Sequence, residues 1–528
     1  MAKLTAEQVL KRADKAWQKK DEFRALYQEA YEFAVPHRSL YDGAYESGVG
    51  GQKKMNRIFD STAINSTQRF ANRMQAGVFP AQSKWSRLEP GPDVPADKRD
   101  KAQAVFDVYN ERMFTVMRTS SFDIAIGEFL LDLGVGTACM LIQPGIGAET
   151  STYTAIPEAL VAIEEGPGGK VEAIHRRPKV RAESIKVQWR DAKIPKELAK
   201  LIEDKPTDDV EFCELTRYDH DDGYWYYCVV WKAEKELIVE RRKKYSPWVI
   251  ARYMKNSGEV YGRGPVITAL PDIKTLNKTL ELLLKNASIG VAGVYTGADD
   301  GVLNPQTVRI IPGAIIPVAR NGGPQGPSLM SLKTAGDINL TQIIINDLRM
   351  SIRAALLDDS QPLDTQAPRS ASEYIDRAQK LAQNLGSAFG RLINETLVPI
   401  VSITLAVMDE RGVIDLPLKV NGLEVKVVPI AQIAMAQYSK DIEALMNFAM
   451  MSAQLDQLPA THINKDAAKD YVADMLGVPM KVRLDGEQRK RIAEEQAAQQ
   501  QQVATAMAPA AGQAAGEAIA GEALKQAA

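Results

Sequence analysis

The residues that could do chemistry in this chain are four scattered histidines, three cysteines and a few glycine-flanked charged runs. A phosphate-cradling loop needs G-x-x-x-x-G-K-[ST], so that backbone amides and one lysine converge on the anion. GVGGQKKM (48–55) has the residue types but not the spacing. GVGTAC (134–139) lacks the third glycine of a dinucleotide loop and reads as a bend from helix into strand. DHDDG (219–223) puts Gly223 where a calcium loop needs its fifth-position ligand, so a hairpin turn is the better reading. No H-E-x-x-H, G-x-S-x-G or C-x-x-C is present. His37, His175, His220 and His462 lie far apart and read as ordinary polar residues, with no metal set and no cofactor motif. HRRPKVR (175–181) and RRKK (241–244) read as solvated strand ends, a basic binding patch being the alternative. A carboxylate site assembled only in space leaves no such local signature.

The bulk properties narrow the setting for these residues. At 528 residues the chain is long enough for two to four domains. With 45% hydrophobic and 25% charged residues it reads as a folded soluble protein. A net charge of -2 supplies no general pull toward polyanions, so any DNA contact is expected to be weak or local. Cys139, Cys213 and Cys228 suggest a reducing compartment without a disulfide framework. The first residues lack the apolar core of a signal peptide. The longest apolar run, TLVPIVSITLAVM (396–408), is expected to be too short to span a bilayer and contains Pro399.

The element pattern is α+β and mainly helical. Helices are predicted over about 6–34, 60–78 and 97–118, and a fourth passes into strand near Gly134 and Gly136. Residues 150–260 alternate as strands, with Asp222-Gly223 as a turn. Then GEVYGRGP (258–265) breaks the backbone firmly, and a helical repeat follows through Leu276, Leu280, Leu283 and Ala287. Pro271 either kinks that helix or starts it. Lys274, Lys278 and Lys285 share one of its faces with Glu281, reading as a solvated face or, alternatively, a basic stripe toward a polyanion.

Residues 293–337 are rich in Gly and Pro, and a helix returns over 338–357 with apolar residues four apart, Leu340, Ile344, Leu348, Ile352 and Leu356. DDSQPLDTQAPR (358–369) has no apolar periodicity, and Ser370–Glu373 forms a capping box for a long helix to about Arg411. Gly386, Gly390 and Pro399 predict that this helix bends. LPLKVNGLEVKVVP (416–429) reads as a strand pair, followed by helices and a tail after 487 of Ala, Gln and Gly.

This order of elements resembles the portal (head-to-tail connector) proteins of short-tailed double-stranded DNA phages. Three stretches carry the resemblance: AINSTQRFANRMQAGVFPAQSKWSRL (63–88), SPWVIARYMKNSGEVYGRGP (246–265) and LGVPMKVRLDGEQRKRIAEEQAAQQQQ (476–502). That family often has Ser where Gly264 stands, a small departure.

The resemblance implies a non-enzymatic ring, typically of twelve subunits, at one vertex of the virion capsid, made in the host cytoplasm. Double-stranded DNA would enter and leave through it. Terminase large subunit, major capsid and scaffolding proteins, tail adaptor and internal core proteins would be its partners, without membrane insertion. Residues 1–265 would hold the N-terminal helices and α/β wing, 266–292 and 338–357 the stem, and 293–337 the clip. Residues 358–369 would be the channel loop, 370–411 the long kinked wing helix, 412–486 the rest of wing and crown, and 487–528 a crown or barrel tail. The glycines before 265 would hinge wing onto stem. Twelve helices about 10 Å apart make a circle roughly 38 Å across, and subtracting helix bodies of about 10 Å leaves a bore near 28 Å. Lys274, Lys278, Lys285, Asp358, Asp359, Asp364 and Arg369 are the candidate channel residues, the loop acids repelling phosphates rather than gripping them. A helical scaffold or adaptor without a channel, or an enzyme with an unrecognised site, are the alternatives.

Overall fold

The computed structural model describes residues 4–38, 54–292 apart from 82, 96, 97, 146 and 148, then 295–297, 329–331, 338–358, 387–415, 420, 424–430 and 472. The chain forms two compact units: one of Met1–Ser86, Arg112–Leu418 and Ala431–Gln437, the other of Arg87–Glu111, Lys419–Ile430 and Tyr438–Ala528.

The larger unit opens with α1 (Ala6–Ala34), whose start is fixed by a capping box in which Thr5 and Gln8 satisfy each other's backbone amides. α2 (Thr62–Val78) follows. β1 (Ser86–Pro90) and α3 (Arg99–Arg118) carry the chain through the second unit and back. α4 (Phe122–Val135) ends against Gly136 and β2 (Thr137–Pro144) begins at once, as the GVGTAC bend requires. β3 (Ser151–Ile156) flanks β2 on one side.

A larger antiparallel sheet follows. It consists of β4 (Val161–Glu165), β5 (Val171–Arg176), β6 (Lys179–Arg181), β7 (Asp209–Asp219), β8 (Tyr224–Trp231) and β9 (Glu236–Lys243). Its order is β4-β5-β7-β8-β9, with β6 beside β7. The short helices α5 (Ile185–Gln188) and α6 (Lys196–Asp204) cover one face, burying Trp189 and Leu198 against Phe212 and Val229. The β7–β8 hairpin turns at Asp219–Tyr224 with Gly223 at φ +70, the left-handed conformation that the DHDDG reading needed. β10 (Trp248–Arg252) then completes the three-stranded sheet beside β2.

α7 (Pro265–Ala292) begins at the proline, and Pro271 is absorbed inside it on the exposed side. β11 (Tyr295–Gly297) and β12 (Leu329–Ser331) pair antiparallel, and α8 (Ile338–Ala355) runs back along α7. One core ties this hairpin to both sheets, joining Ile273 and Leu276 of α7, Ile345, Ile352 and Leu356 of α8, Tyr27 and Tyr31 of α1, Ile163, Ile174 and Ile250. The expected stripe on α8 drifts: Ile344 is 46% exposed whereas Ile345 is buried. A four-residue repeat gains about 40° on a helix of 3.6 residues per turn, so the buried face must step back to a three-residue spacing.

The long C-terminal helix is described from Ser387. α9 (Ser387–Leu392) passes through a π-helical turn (Ile393–Leu397) into α10 (Val398–Glu410). The capping box at 370–373 and Gly386 lie outside the described residues. The irregularity comes one turn before Pro399, which has no N–H to offer the Glu395 carbonyl; the wider turn instead bonds Val398 N–H to Ile393 O. The expectation that the apolar run is too short to cross a bilayer is corrected here. The continuous helix Gly390–Glu410 is long and apolar enough by length and composition, and in this fold Ile400, Val401, Leu405 and Val407 are fully buried in protein.

In the smaller unit, β1 pairs with β13 (Val425–Pro429); the 416–419 segment expected to pair with β13 lies outside the described residues. Gln103 of α3 donates to the Leu88 carbonyl at 3.0 Å beneath that sheet.

Candidate functional site at the root of the helical hairpin

The site with the densest unusual geometry is where α7 leaves the body and α8 returns. At the entry, Gly262 and Gly264 cross the α4–β2 junction at Gly134 and Gly136 so closely that side chains are excluded. A Cβ on Gly264 would lie 2.2 Å from the Gly134 carbonyl oxygen, and one on Gly136 would lie 2.4 Å from that of Gly262. Gly264 N–H donates to Val135 O at 2.8 Å, Tyr253 N–H to Gly136 O at 2.9 Å, and Gly262 N–H to Thr137 Oγ1 at 2.8 Å. The buried Tyr27 hydroxyl donates to Gly262 O beside Thr137. Burial, with the Glu158 charge nearby, pushes the Tyr27 phenol well above its ordinary range, so it stays a donor. The glycines expected to act as a hinge are therefore a backbone weld. The Ser that the resemblance suggested at position 264 has no room in this packing.

The helix that starts there carries the three predicted lysines, and each has an acidic partner. Lys274 meets Glu29 at 2.9 Å, while Lys278 and Lys285 share Glu281 at 3.0 and 2.6 Å. All are exposed, the solvated-face arrangement rather than a bare basic stripe.

At the exit, α8 closes in a two-bond cap: Asp358 N–H reaches Arg353 O at 2.7 Å and Leu357 N–H reaches Ala354 O at 3.1 Å. This cap puts Leu357 at φ +56, a place usually given to glycine. Asp358 departs from its expected role. It is 1% exposed, accepts from Ser66 Oγ at 2.8 Å and from Arg69 at 3.2 and 3.3 Å, and so faces α2 rather than open solvent. A buried carboxylate needs such partners, and Asp358 reads as a loop residue in sequence because α2, which supplies them, is about 290 positions away. Arg73 donates to the Leu357 carbonyl, and Arg349 grips Asp60 Oδ2 at 2.7 and 2.9 Å. Burial alone would raise the Asp60 carboxyl, but Thr62 and Arg349 hold it below its ordinary value. Asp359, Asp364 and Arg369 lie outside the described residues.

The long helix is latched to the body nearby. Glu395, in the π-helical turn, accepts from the Arg252 amide and guanidinium at 3.0, 3.2 and 2.7 Å and from Arg391 at 3.1 Å. No local motif announces this contact; only the spacing of Glu395 before Pro399 hints that it sits in a distorted turn.

The remaining chemical candidates are structural. His175 is buried with Nε2 2.6 Å from Glu164, which also accepts from Arg12. Burial would raise the Glu164 carboxyl, yet these partners hold it at about 2. His37 and His220 are exposed, and His462 lies outside the described residues. In the basic runs, Arg177 pairs with Asp14, Lys179 with Glu211, Arg241 with Asp191, Arg242 with Asp222 and Lys243 with Glu410. Cys139, Cys213 and Cys228 are buried free thiols. No group of three or more His, Cys, Asp or Glu suited to a metal occurs among the described residues.

The family model for bacteriophage head to tail connecting protein matches residues 6–483. The chain belongs to that family. Connecting proteins of this family are structural. The chain is 22% identical to the probable portal protein of Bordetella phage BPP-1 over 85% of its own length and 84% of the relative's. It is 22% identical to the portal protein of Salmonella phage epsilon15 over 98% of its length and 95% of the relative's. Among solved structures it is similar to a chain of the virion of the native gene transfer agent (GTA) particle, at 11% identity and TM-score 0.31, covering 84% of this chain and 94% of that one. A chain from the neck of the empty GTA particle matches at 13% identity and TM-score 0.33, covering 82% and 95%. These two overlays are too loose to bear on the connecting protein's geometry.

Proposed function

We propose that this connecting protein forms a ring, typically of twelve copies, at one capsid vertex. Double-stranded DNA passes through its centre during packaging and ejection. The observation that carries this reading is the hairpin of α7 and α8, a long helix leaving the α/β body and a second returning beside it, with Ser351 Oγ donating to Asp272 at 2.8 Å near their root. We assign 266–292 and 338–357 to the stem, 293–337 to the clip and 358–369 to the channel loop. Residues 1–265 and 370–411 with part of 412–486 form the wing, the rest of 412–486 the crown, and 487–528 a tail belonging to the crown or to a barrel beyond it. The lysines of α7, three cations set against Glu29 and Glu281, are mostly compensated and fit a surface along which DNA slides, since each uncompensated cation would add a salt-dependent phosphate contact.

Terminase, the motor that supplies packaging energy, would dock near the clip, and capsid, scaffolding, adaptor and core proteins on the outer surfaces. Negative-stain images of the purified chain should show a ring with a central hole, and light scattering at micromolar concentration should report a large oligomer. A monomer or dimer would end the proposal. Deleting Gln361 to Gln366 should leave the ring intact and lower the DNA packaged or retained per particle. Normal packaging and retention by that deletion would remove the loop from the mechanism.

A further inference from the structure

Beside the exit of α8 lies a polar hollow of about 230 Å³, walled by the start of α2, by Asp60 and Asp358, and by three arginines, Arg69, Arg349 and Arg353. Water takes roughly 30 Å³ of liquid per molecule, so the hollow has room for a tetrahedral oxyanion and several waters. Its charges do not balance: three guanidinium groups face two carboxylates. Arg349 donates through Nε and Nη2 to Asp60 Oδ2, at 2.9 and 2.7 Å. Arg69 reaches Asp358 at only 3.2 and 3.3 Å, longer than the roughly 2.7–2.9 Å of a strong charge-assisted bond. Arg353 is exposed at the rim and has no carboxylate partner among the described residues.

A planar guanidinium fork with no carboxylate partner among the described residues, a second one loosely held, and an open polar hollow between them form a receptor for a multidentate oxyanion. We propose that this hollow binds one phosphate group between Arg353 and Arg69, with Asp358 as a built-in carboxylate competitor for Arg69. Phosphate binding would thereby loosen the clasp that fixes where the chain leaves α8. The phosphate could be free in solution or part of a DNA backbone, and only the second source rests on the channel reading.

The test is calorimetric titration of inorganic phosphate into the full-length protein, with sodium chloride holding ionic strength constant. Wild type should bind. Arg353→Gln should weaken binding about tenfold, and Arg353→Lys, which keeps the charge but not the fork, should fall between. Asp358→Asn should tighten binding several-fold by removing the competitor; if that variant does not fold, Ser66→Ala, which loosens Asp358, should shift affinity in the same direction. Absence of phosphate binding by wild type, or equal affinity in wild type and Arg353→Gln, overturns the proposal. A second arm uses a 20-base-pair duplex. Phosphate displacing the duplex from wild type but not from Arg353→Gln identifies the DNA backbone as the source. Duplex binding indifferent to both identifies free phosphate. The first arm needs no ring, so its failure is separable from failure of the channel reading.

Discussion

The two ends of the hairpin root are fastened by opposite means. At the entry of α7, Gly136, Gly262 and Gly264 let two backbones cross, and neutral amide–carbonyl bonds hold them. At the exit of α8, a strained Leu357 and a buried Asp358 are clasped by Ser66 and by arginines from α2. The entry tolerates no added atom, whereas the exit depends on charges that can be exchanged or titrated. The lesson is that glycine beside a long helix need not mean a hinge; what decides is whether the missing Cβ faces solvent or another backbone.

The comparison can be broken most forcefully at the entry. Gly264→Ala places a methyl 2.2 Å from a carbonyl oxygen with no flexible neighbour to yield, and should cost roughly 4 kcal/mol or more or abolish soluble expression. Urea denaturation of Gly264→Ala matching wild type would show that the crossing is looser than described. At the exit, Asp358→Ala leaves Ser66 and Arg69 without an acceptor. Because Arg69 is 56% exposed and can turn to water, the loss should be only about 1–3 kcal/mol.

Acid sharpens the contrast. Asp60 has a folded pKa below its ordinary 3.8. Its clasp on Arg349 therefore contributes stability that is complete above that value and is lost as pH falls through the lower folded value. Amide exchange measured at pH 5 and pH 3 should speed up in the last turn of α8, after correction for intrinsic rates, while the Gly262–Gly264 amides stay protected. Equal change at both ends would show that the entry also depends on titrating groups. Leu357→Gly should raise stability by about 0.5–1 kcal/mol, since relief of the left-handed strain outweighs the added chain entropy. Smallest of all, Lys278→Gln removes an exposed pairing with Glu281 and should leave Tm unchanged within error.

Much of the fold was legible because helices and strands announce themselves through local spacing. The bounds of α1, the Gly136 bend, the Asp222-Gly223 hairpin and both hairpin helices follow from residues within a turn or two of each other. The clasp on Asp358 was not legible, since Ser66 and Arg69 are about 290 positions away and nothing local marks a buried aspartate. Lys20 was missed for the same reason: it sits 3% exposed on α1, held by Glu158 and the Val161 carbonyl, where a helical wheel shows only another lysine. The basic runs read as strand ends and lie there, but their acidic partners come from α1 (Asp14), β7 (Glu211), the loop after α5 (Asp191), the β7–β8 turn (Asp222) and α10 (Glu410), so the pairing emerges only in three dimensions.

The π-helical turn at Ile393–Leu397 also constrains how this chain can change in length. It is equivalent to one residue inserted into an α-helix, and Glu395 within it accepts from the Arg252 amide. Because the wide turn already absorbs one extra residue, losing a single residue inside it would restore ordinary helix and leave the faces on either side in register. Losing one elsewhere in the helix would rotate everything on one side by about 100° relative to the other. Ala388 and Leu392, buried ahead of the turn, would then swing away from the side they now bury relative to Ile400 and Leu405 behind it. A one-residue deletion should therefore be accommodated inside this five-residue window, at the cost of the Glu395 contact with Arg252, and not in the regular turns that flank it. The turn is where this helix can shorten without repacking.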